Sequence, residues 1–77
     1  FEEIDVPAGS PYIGRPVWEL KGSEGNVPLL VAILDPDSKK YDMNPDAKRL
    51  IKPGDALVML GEVDKLSDMR ERMKIAG

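Results

Sequence analysis

The sequence predicts a small α+β domain with two layers, in which a mostly antiparallel β-sheet is covered on one face by a C-terminal helix and accompanied by a short N-terminal helix. Three observations support this fold class. The apolar runs LLVAIL and ALVMLG predict strands. The turn-rich segment DPDSKK between LLVAIL and YDM predicts a hairpin. Apolar residues at positions 63, 66, 69 and 73 predict one face of an amphipathic helix.

The first third of the chain predicts an edge strand and then a short helix. FEEIDVP alternates partly between apolar and acidic residues, which favours an edge strand ending at Pro7. The segment AGSP breaks it. Pro16 suits the first turn of a helix and Gly22 suits its end, so we expect a helix over residues 16–21. SEGNVP follows as a loop.

The middle of the chain predicts a hairpin. LLVAIL is six apolar residues without alternation, and its length and β-branched content favour a strand covered on both faces over a helix. DPDSKK is a turn, and YDM restarts a strand that pairs with the first. NPDAKRL then forms a loop or a single helical turn.

The last third predicts a turn, a strand and the main helix. Pro53 and Gly54 fit the second and third positions of a type II turn, because proline fixes φ near −65° and glycine tolerates positive φ. Residues 56–61 form the next strand. From Val63 onward the helix carries acids near its start and bases near its end, as the helix dipole prefers.

Length and composition limit the chain to one small domain, residues 1–77. A chain of 77 residues has a marginal core, and small domains usually need an additional source of stability. With no cysteine and no histidine, a disulfide is excluded and a zinc site is not expected. The remaining source of stability is contact with another protein surface. Because the chain begins at Phe1 and not at methionine, we interpret it as a piece of a longer polypeptide.

The charge pattern argues against two classes of partner. There are 11 basic and 14 acidic residues, interspersed along the chain, with a net charge of −3. No basic stripe is present to collect phosphates, so nucleic acid is not an expected partner. No apolar run approaches the ~18–20 residues that cross a bilayer, so direct membrane insertion is not expected.

Asp55 is the most prominent candidate for catalysis, and the sequence favours a structural role for it. It follows Pro53 and Gly54 and precedes an apolar strand, so its carboxylate is placed to accept backbone N–H groups and close the turn. A catalytic aspartate needs a partner base or a second carboxylate, and no motif supplies one. We therefore predict no catalytic residues, no metal, no cofactor and no enzymatic activity.

Three further features have both a plain and a functional interpretation. Trp18 is expected in packing at the core or at an interface, although it could stack on a purine. KGSEGN lacks the spacing of a phosphate-binding loop and is expected to be a connection. The acids of DPDSKKYD lack the spacing and the closing glutamate of a calcium loop, which favours a solvated hairpin turn.

In these segments the chain resembles the TrkA-C domain, the C-terminal subdomain of RCK (regulator of K⁺ conductance) proteins. VPAGSPYIGRPVWEL is similar to the opening strand, Ser-Pro and short helix of the family. LLVAILDPDSKKYDMNP resembles its Val-Ala-Ile strand, turn, second strand and closing proline. LIKPGDALVMLG resembles its Leu-x-x-Gly-Asp-x-Leu-x-x-x-Gly signature, and EVDKLSDMRERM resembles its final helix.

The resemblance implies a cytoplasmic regulatory domain that acts in a K⁺ channel or K⁺ transport system by sensing a ligand or by dimerising. It also implies a homodimer, a parent membrane domain and a Rossmann-like RCK N-subdomain as partners. In several relatives the ligand is cyclic di-adenosine monophosphate (cyclic di-AMP), bound between two subunits. The alternative is a regulatory or purely structural dimerisation domain, without ligand, in a cation–proton antiporter or anion transporter.

The sequence departs from the family at the expected ligand loop. Relatives that bind the dinucleotide tend to carry arginine where this chain has Ser23, and a phosphate site without arginine loses a charge-assisted contact. Carried over by position, the resemblance implies a ligand site at a subunit interface formed by Ser23, Gly25, Asn26, Val27, Pro28, Asn44 and Pro45. The dimer interface is expected at an apolar surface formed by Ile13, Val17, Trp18 and Leu20.

Overall fold

A computed structural model describes residues 1–20 and 28–74 of the chain. The described part contains four strands, one 3₁₀ helix and one α-helix. In chain order they are β1 (Glu2–Asp5), the 3₁₀ helix (Val17–Leu20), β2 (Leu29–Leu34), β3 (Tyr41–Met43), β4 (Ala56–Leu60) and α1 (Val63–Met73). These elements confirm the predicted fold class, a small antiparallel sheet with a C-terminal helix.

The four strands form one antiparallel sheet in the order β1-β4-β2-β3. β4 lies between β1 and β2, and the predicted hairpin pairs β2 with β3. The register between β2 and β4 shifts at Val31, which leaves one extra residue on β2. On either side of this bulge, Leu30 pairs with Met59 and Ala32 pairs with Val58.

The core lies between the sheet and α1. Ile4, Ile33, Leu57 and Met59 point to this side, because side chains alternate along each strand. From α1, the buried residues Leu66, Met69 and Met73 pack against this side. The Arg70 side chain also pairs with Glu2, which ties α1 to β1. Among residues 1–20 and 28–74, no helix combines the length and the apolar character needed to cross a membrane.

Val63 was expected on the apolar face of α1, and this was wrong, because its side chain is 78% exposed. Val63 is the first residue of the helix. Side chains of an α-helix lean toward its N-terminus, so a residue in the first turn has no preceding turn beside it to continue the apolar face. The buried face therefore begins one turn later, at Leu66.

The short helix expected over residues 16–21 is a single 3₁₀ turn over Val17–Leu20. The backbone N–H of Glu19 donates to the carbonyl of Pro16 at 3.0 Å, which is a three-residue spacing. The N–H groups of Val17 and Trp18 are bonded to carbonyls of residues 49 and 47. These bonds to a distant segment hold the start of the helix, and residue 21 lies outside the described part of the chain.

One face of the sheet remains uncovered in the described protomer, although LLVAIL was expected to be covered on both faces. The residues that point away from α1 are almost all apolar on β2, β3 and β4. We call this surface the open sheet face, and its larger residues are Leu29, Leu34, Tyr41, Met43, Val58 and Leu60. A groove of about 420 Å³ crosses it between β1 and β3.

Candidate functional site

The predicted turn around Asp55 is a four-residue reversal over residues 52–55. The N–H of Asp55 donates to the carbonyl of Lys52 at 3.2 Å, and Gly54 has φ of 87°, the positive value that a type II turn needs at its third position. The N–H of Lys52 in turn donates to the Asp55 carboxylate at 2.8 Å. The N–H of Gly54 donates to the carbonyl of Val6 at 2.9 Å, which anchors the turn beside β1.

Arg49 is the partner of Asp55 that the sequence did not suggest. Its Nη1 lies 2.8 Å from Asp55 Oδ2 and its Nη2 lies 3.2 Å from Oδ1, so the guanidinium binds the carboxylate with two hydrogen bonds. Asp55 is fully buried. The hydrogen bond to Asp55 raises the pKa of Arg49 above its usual value, despite the opposing effect of burial. The turn between them brings these residues, six apart in sequence, side by side.

The β2–β3 hairpin supplies further carboxylates to the same cluster. Arg49 also lies 3.5 Å from Asp35 and 3.9 Å from Asp42. Lys52 Nζ lies 2.9 Å from Asp35 and 3.2 Å from Asp37. The hydrogen bond from Lys52, together with backbone N–H bonds from the hairpin turn, lowers the pKa of Asp35 to about 2.

This ionic cluster has the chemistry of a structural junction. Each of its four carboxylates faces a cation, and the only buried carboxylate, Asp55, is held by three hydrogen bonds within the described residues. No group of three carboxylates in residues 1–20 and 28–74 is arranged to hold a metal ion. The cluster connects the β2–β3 hairpin to the turn before β4. A purely structural role for Asp55 stays a prediction.

Three of the expected ligand residues lie at one end of the sheet. Pro28 precedes β2 and Asn44 and Pro45 follow β3, and in an antiparallel pair these positions share an end. Pro28 is buried against Gly61, where an added Cβ would lie 3.2 Å from the Pro28 Cα. Asn44 is exposed, has φ of 52°, and donates its N–H to the carbonyl of Val31 at 3.0 Å. The other four expected residues, Ser23, Gly25, Asn26 and Val27, lie outside the described part.

The residues expected at a dimer interface divide between the core and the surface. Val17 and Leu20 are buried in the protomer core, which corrects the expectation of an apolar surface there. In a single turn of 3₁₀ helix, residues three apart lie on the same side, and here that side faces the core. Ile13 is partly buried against the same core, and Trp18 is 52% exposed. A role for these residues in dimerisation stays a prediction.

Comparison with known proteins agrees with the resemblance seen in the sequence. The family model of the TrkA-C domain matches residues 1–74. Among solved structures, the chain is similar to the RCK_C domain dimer of S. agalactiae BusR in complex with c-di-AMP. The two are 25% identical with a TM-score of 0.78, over 94% of this chain and 92% of that chain. None of the curated proteins compared gives a match. The chain belongs to the TrkA-C domain family, whose members are regulatory domains.

Proposed function

We propose that this chain is a dimeric, non-catalytic domain that senses a small ligand for a K⁺ channel or K⁺ transport protein in the cytoplasm. One observation carries the proposal: the chain has the fold of an RCK_C domain that forms a dimer with c-di-AMP, over nearly the whole length of both chains. Its own family match covers the same region. The parent membrane domain and a Rossmann-like N-subdomain would be its partners in the full protein.

The ligand site of this proposal lies where two copies meet, at the sheet end that carries Pro28, Asn44 and Pro45. The common end of β2 and β3 supports this placement, because it brings residues 28 and 44–45 together. Residues 23–27 directly precede Pro28 in the sequence and would add a serine hydroxyl and backbone N–H donors to the proposed site. These residues supply several donors but no cation, and Glu24 is acidic, which suits a polar ligand without strong negative charge.

Cyclic di-AMP is the first ligand to test, and we expect it to bind weakly. Ser23 stands where relatives that bind this dinucleotide tend to carry arginine, so the site lacks one charge-assisted phosphate contact. Isothermal titration of the domain with cyclic di-AMP should give a Kd above about 10 μM, which corresponds to roughly 7 kcal/mol of standard free energy. A sub-micromolar Kd would show that the missing arginine is unimportant.

Asn44→Gly is a matched variant for the same titration. Glycine adopts the positive φ of this position without strain, so the variant removes the side-chain amide and keeps the turn. We expect binding of cyclic di-AMP to weaken by threefold or more. Pro11→Ala, an exposed position outside the expected site, serves as the control. Unchanged affinity in Asn44→Gly would place the ligand elsewhere.

A second candidate function is a purely structural dimerisation domain, in an antiporter or an anion transporter. The observation that favours it is Ser23 itself, because a domain that has no phosphate to hold has no need of arginine at this position. The two candidates differ in thermal melting. A ligand at 100 times its Kd adds about 2.7 kcal/mol to folding stability, whereas a structural dimer melts at the same temperature with or without K⁺ or cyclic di-AMP.

A further inference from the structure

The edge strand β3 is weakly attached to the core of the domain. Within the described part of the chain it pairs only with β2, over three residues, and all three are exposed. Tyr41 and Met43 point to the open sheet face. Asp42 lies opposite the buried Ile33, which places its side chain on the side of the sheet that carries the core. The core-side residue of β3 is thus a charged one, and apolar packing against the core does little to hold the strand.

Ion pairs connect the β2–β3 hairpin to the segment before β4. The Arg49 guanidinium lies 3.9 Å from Asp42 and 3.5 Å from Asp35. Lys52 Nζ lies 2.9 Å from Asp35 and 3.2 Å from Asp37. In these four pairs the hairpin supplies every carboxylate and the segment before β4 supplies both cations. The attachment of β3 therefore depends on electrostatic attraction across this junction.

The two sides of the junction carry opposite net charges. Residues 35–42 contain three aspartates and two lysines, whereas residues 46–55 contain two aspartates, two lysines and one arginine, so attraction between the two segments outweighs repulsion. The side chains of Asp37 and Asp42 are 85% and 50% exposed, and that of Asp55 is fully buried. Salt screens exposed pairs strongly and buried pairs much less. Added salt should therefore weaken the attachment of the hairpin and leave the buried carboxylate paired.

We propose that the ionic cluster is a conformational switch for β3 that responds to ionic strength. It holds β3 at low salt and releases the strand as salt rises, while β1, β4 and β2 keep their pairing and their core. The screening length falls from about 10 Å at 0.1 M salt to about 3 Å at 1 M, which is comparable with the nitrogen–oxygen distances of the four pairs. Segments with few buried apolar contacts are also the first to open in a folded protein.

Release of β3 would change the proposed ligand site, and this consequence rests on the proposed function. Asn44 and Pro45 directly follow β3. The Asn44 N–H donates to the carbonyl of Val31 at 3.0 Å, a bond that is lost when β3 leaves β2. Because K⁺ and its counter-ions contribute directly to ionic strength, the ion that the parent protein is proposed to move would itself loosen the ligand site.

Amide hydrogen exchange followed by NMR tests the switch without any ligand. Protection factors, which correct for the effect of salt on intrinsic exchange, are compared for two amides. The reporter is the Asn44 N–H, and the reference is the Val6 N–H, which donates to the carbonyl of Asp55 at 2.8 Å beside β1. Relative to Val6, the protection of Asn44 should fall at least about fourfold between 0.1 M and 1 M KCl. NaCl should have the same effect, because screening does not distinguish the two cations.

Two matched lysine variants assign the salt effect to the cluster. Lys52→Met removes two of the four ion pairs and keeps the backbone N–H bond to Asp55. Its Asn44 amide should be about twofold less protected already at 0.1 M KCl, and should lose less than about a further twofold at 1 M. Lys74→Met removes an exposed ion pair on α1 and should respond to salt as the wild type does. Asp42→Asn, which removes the pair on β3 itself, repeats the test if Lys52→Met fails to fold.

The failure of the switch and the failure of the proposed function give different results. Equal salt responses in wild type and Lys52→Met, or protection of Asn44 that does not change with salt, would overturn the switch. A response to KCl that NaCl does not reproduce would also overturn it, because it would indicate a bound ion and not screening. Absence of cyclic di-AMP binding at every salt concentration would instead refute the proposed function, and the exchange result, which needs no ligand, would stand.

Discussion

Arg49 donates two hydrogen bonds to the fully buried carboxylate of Asp55, and the two residues stand on either side of the same turn. A buried carboxylate is costly unless its charge is paired and its oxygens are hydrogen-bonded, and here both conditions hold. The pair thereby makes the turn before β4 part of the core. The pair also explains why Asp55, although prominent in the sequence, can stabilise the fold without a catalytic role.

Asp55→Asn tests the pair. A turn hydrogen bond alone is worth about 1 kcal/mol, but loss of the buried charge should destabilise the domain by about 2–3 kcal/mol. Arg49 keeps Asp35 and Asp42 as neighbours, which limits the loss. Urea unfolding measures the change. Asp37→Asn, an exposed carboxylate that pairs with Lys52, is the control and should cost less than about 0.5 kcal/mol. Equal effects of the two variants would contradict a special role for Asp55.

Gly54→Ala tests the turn geometry against a second glycine. Gly54 and Gly14 have φ of 87° and 83°, so alanine is strained at both positions, by about 1–2 kcal/mol. At Gly54 the added Cβ would also lie 3.2 Å from the Pro36 Cβ, whereas nothing lies within 4 Å at Gly14. We therefore expect the larger loss of unfolding free energy at Gly54. A harmless Gly54→Ala would show that the turn is assigned wrongly.

The ion pair of Asp35 predicts a pH dependence of stability. Its pKa falls from the usual 3.8 to about 2 in the folded domain, chiefly through the hydrogen bond from Lys52. A lowered folded-state pKa contributes stability above the unfolded value and loses it as pH falls through the folded one. The melting temperature of the wild type should therefore fall further between pH 4 and pH 2 than that of the Asp35→Asn variant.

The control for this titration is Asp46→Asn. Asp46 accepts the Lys48 N–H at 2.8 Å in an exposed turn, much as Asp35 accepts N–H groups in the hairpin, but it pairs with no cation in the described residues. This variant should keep the acid sensitivity of the wild type. If wild type and Asp35→Asn lose stability in parallel from pH 4 to pH 2, the Asp35–Lys52 pair contributes nothing.

Ser23→Arg tests the cause proposed for weak ligand binding. An arginine at this position restores a charge-assisted contact to phosphate, so the Kd for cyclic di-AMP should fall tenfold or more. Ser67→Arg, on the exposed face of α1, adds the same charge away from the expected site and controls for general attraction. A tenfold gain in both variants would show an effect of net charge only, and no gain in either would remove Ser23 from the site.

The strands and the main helix were predictable because their apolar patterns are strong and local. LLVAIL and YDM coincide with β2 and β3 as predicted, and the spacing of Leu66, Met69 and Met73 identifies the buried face of α1. The absence of alternation in LLVAIL also carried information that a single protomer does not explain. A strand that is apolar on both faces predicts a packed layer on each face, and in the described residues α1 packs against one of them.

The partners of individual side chains were not predictable in the same way. Arg49 stands in a polar segment with several charged neighbours, and only the folded turn shows that it meets Asp55. The available signal was weak: a basic residue shortly before a tight turn that ends in an aspartate. Likewise, the apolar residues Val17 and Trp18 are adjacent in sequence, and only the path of the 3₁₀ helix decides which one is buried.

The most direct test of the account combines the dimer and its ligand in one experiment. A ligand that binds only between two copies must strengthen their association by the free energy of its own binding. Sedimentation equilibrium of the wild-type domain should therefore show a dimer whose dissociation constant falls roughly tenfold when cyclic di-AMP is present at ten times its Kd, with AMP at equal concentration as the control. A dissociation constant that cyclic di-AMP leaves unchanged, or a chain that stays monomeric in its presence, would contradict the account.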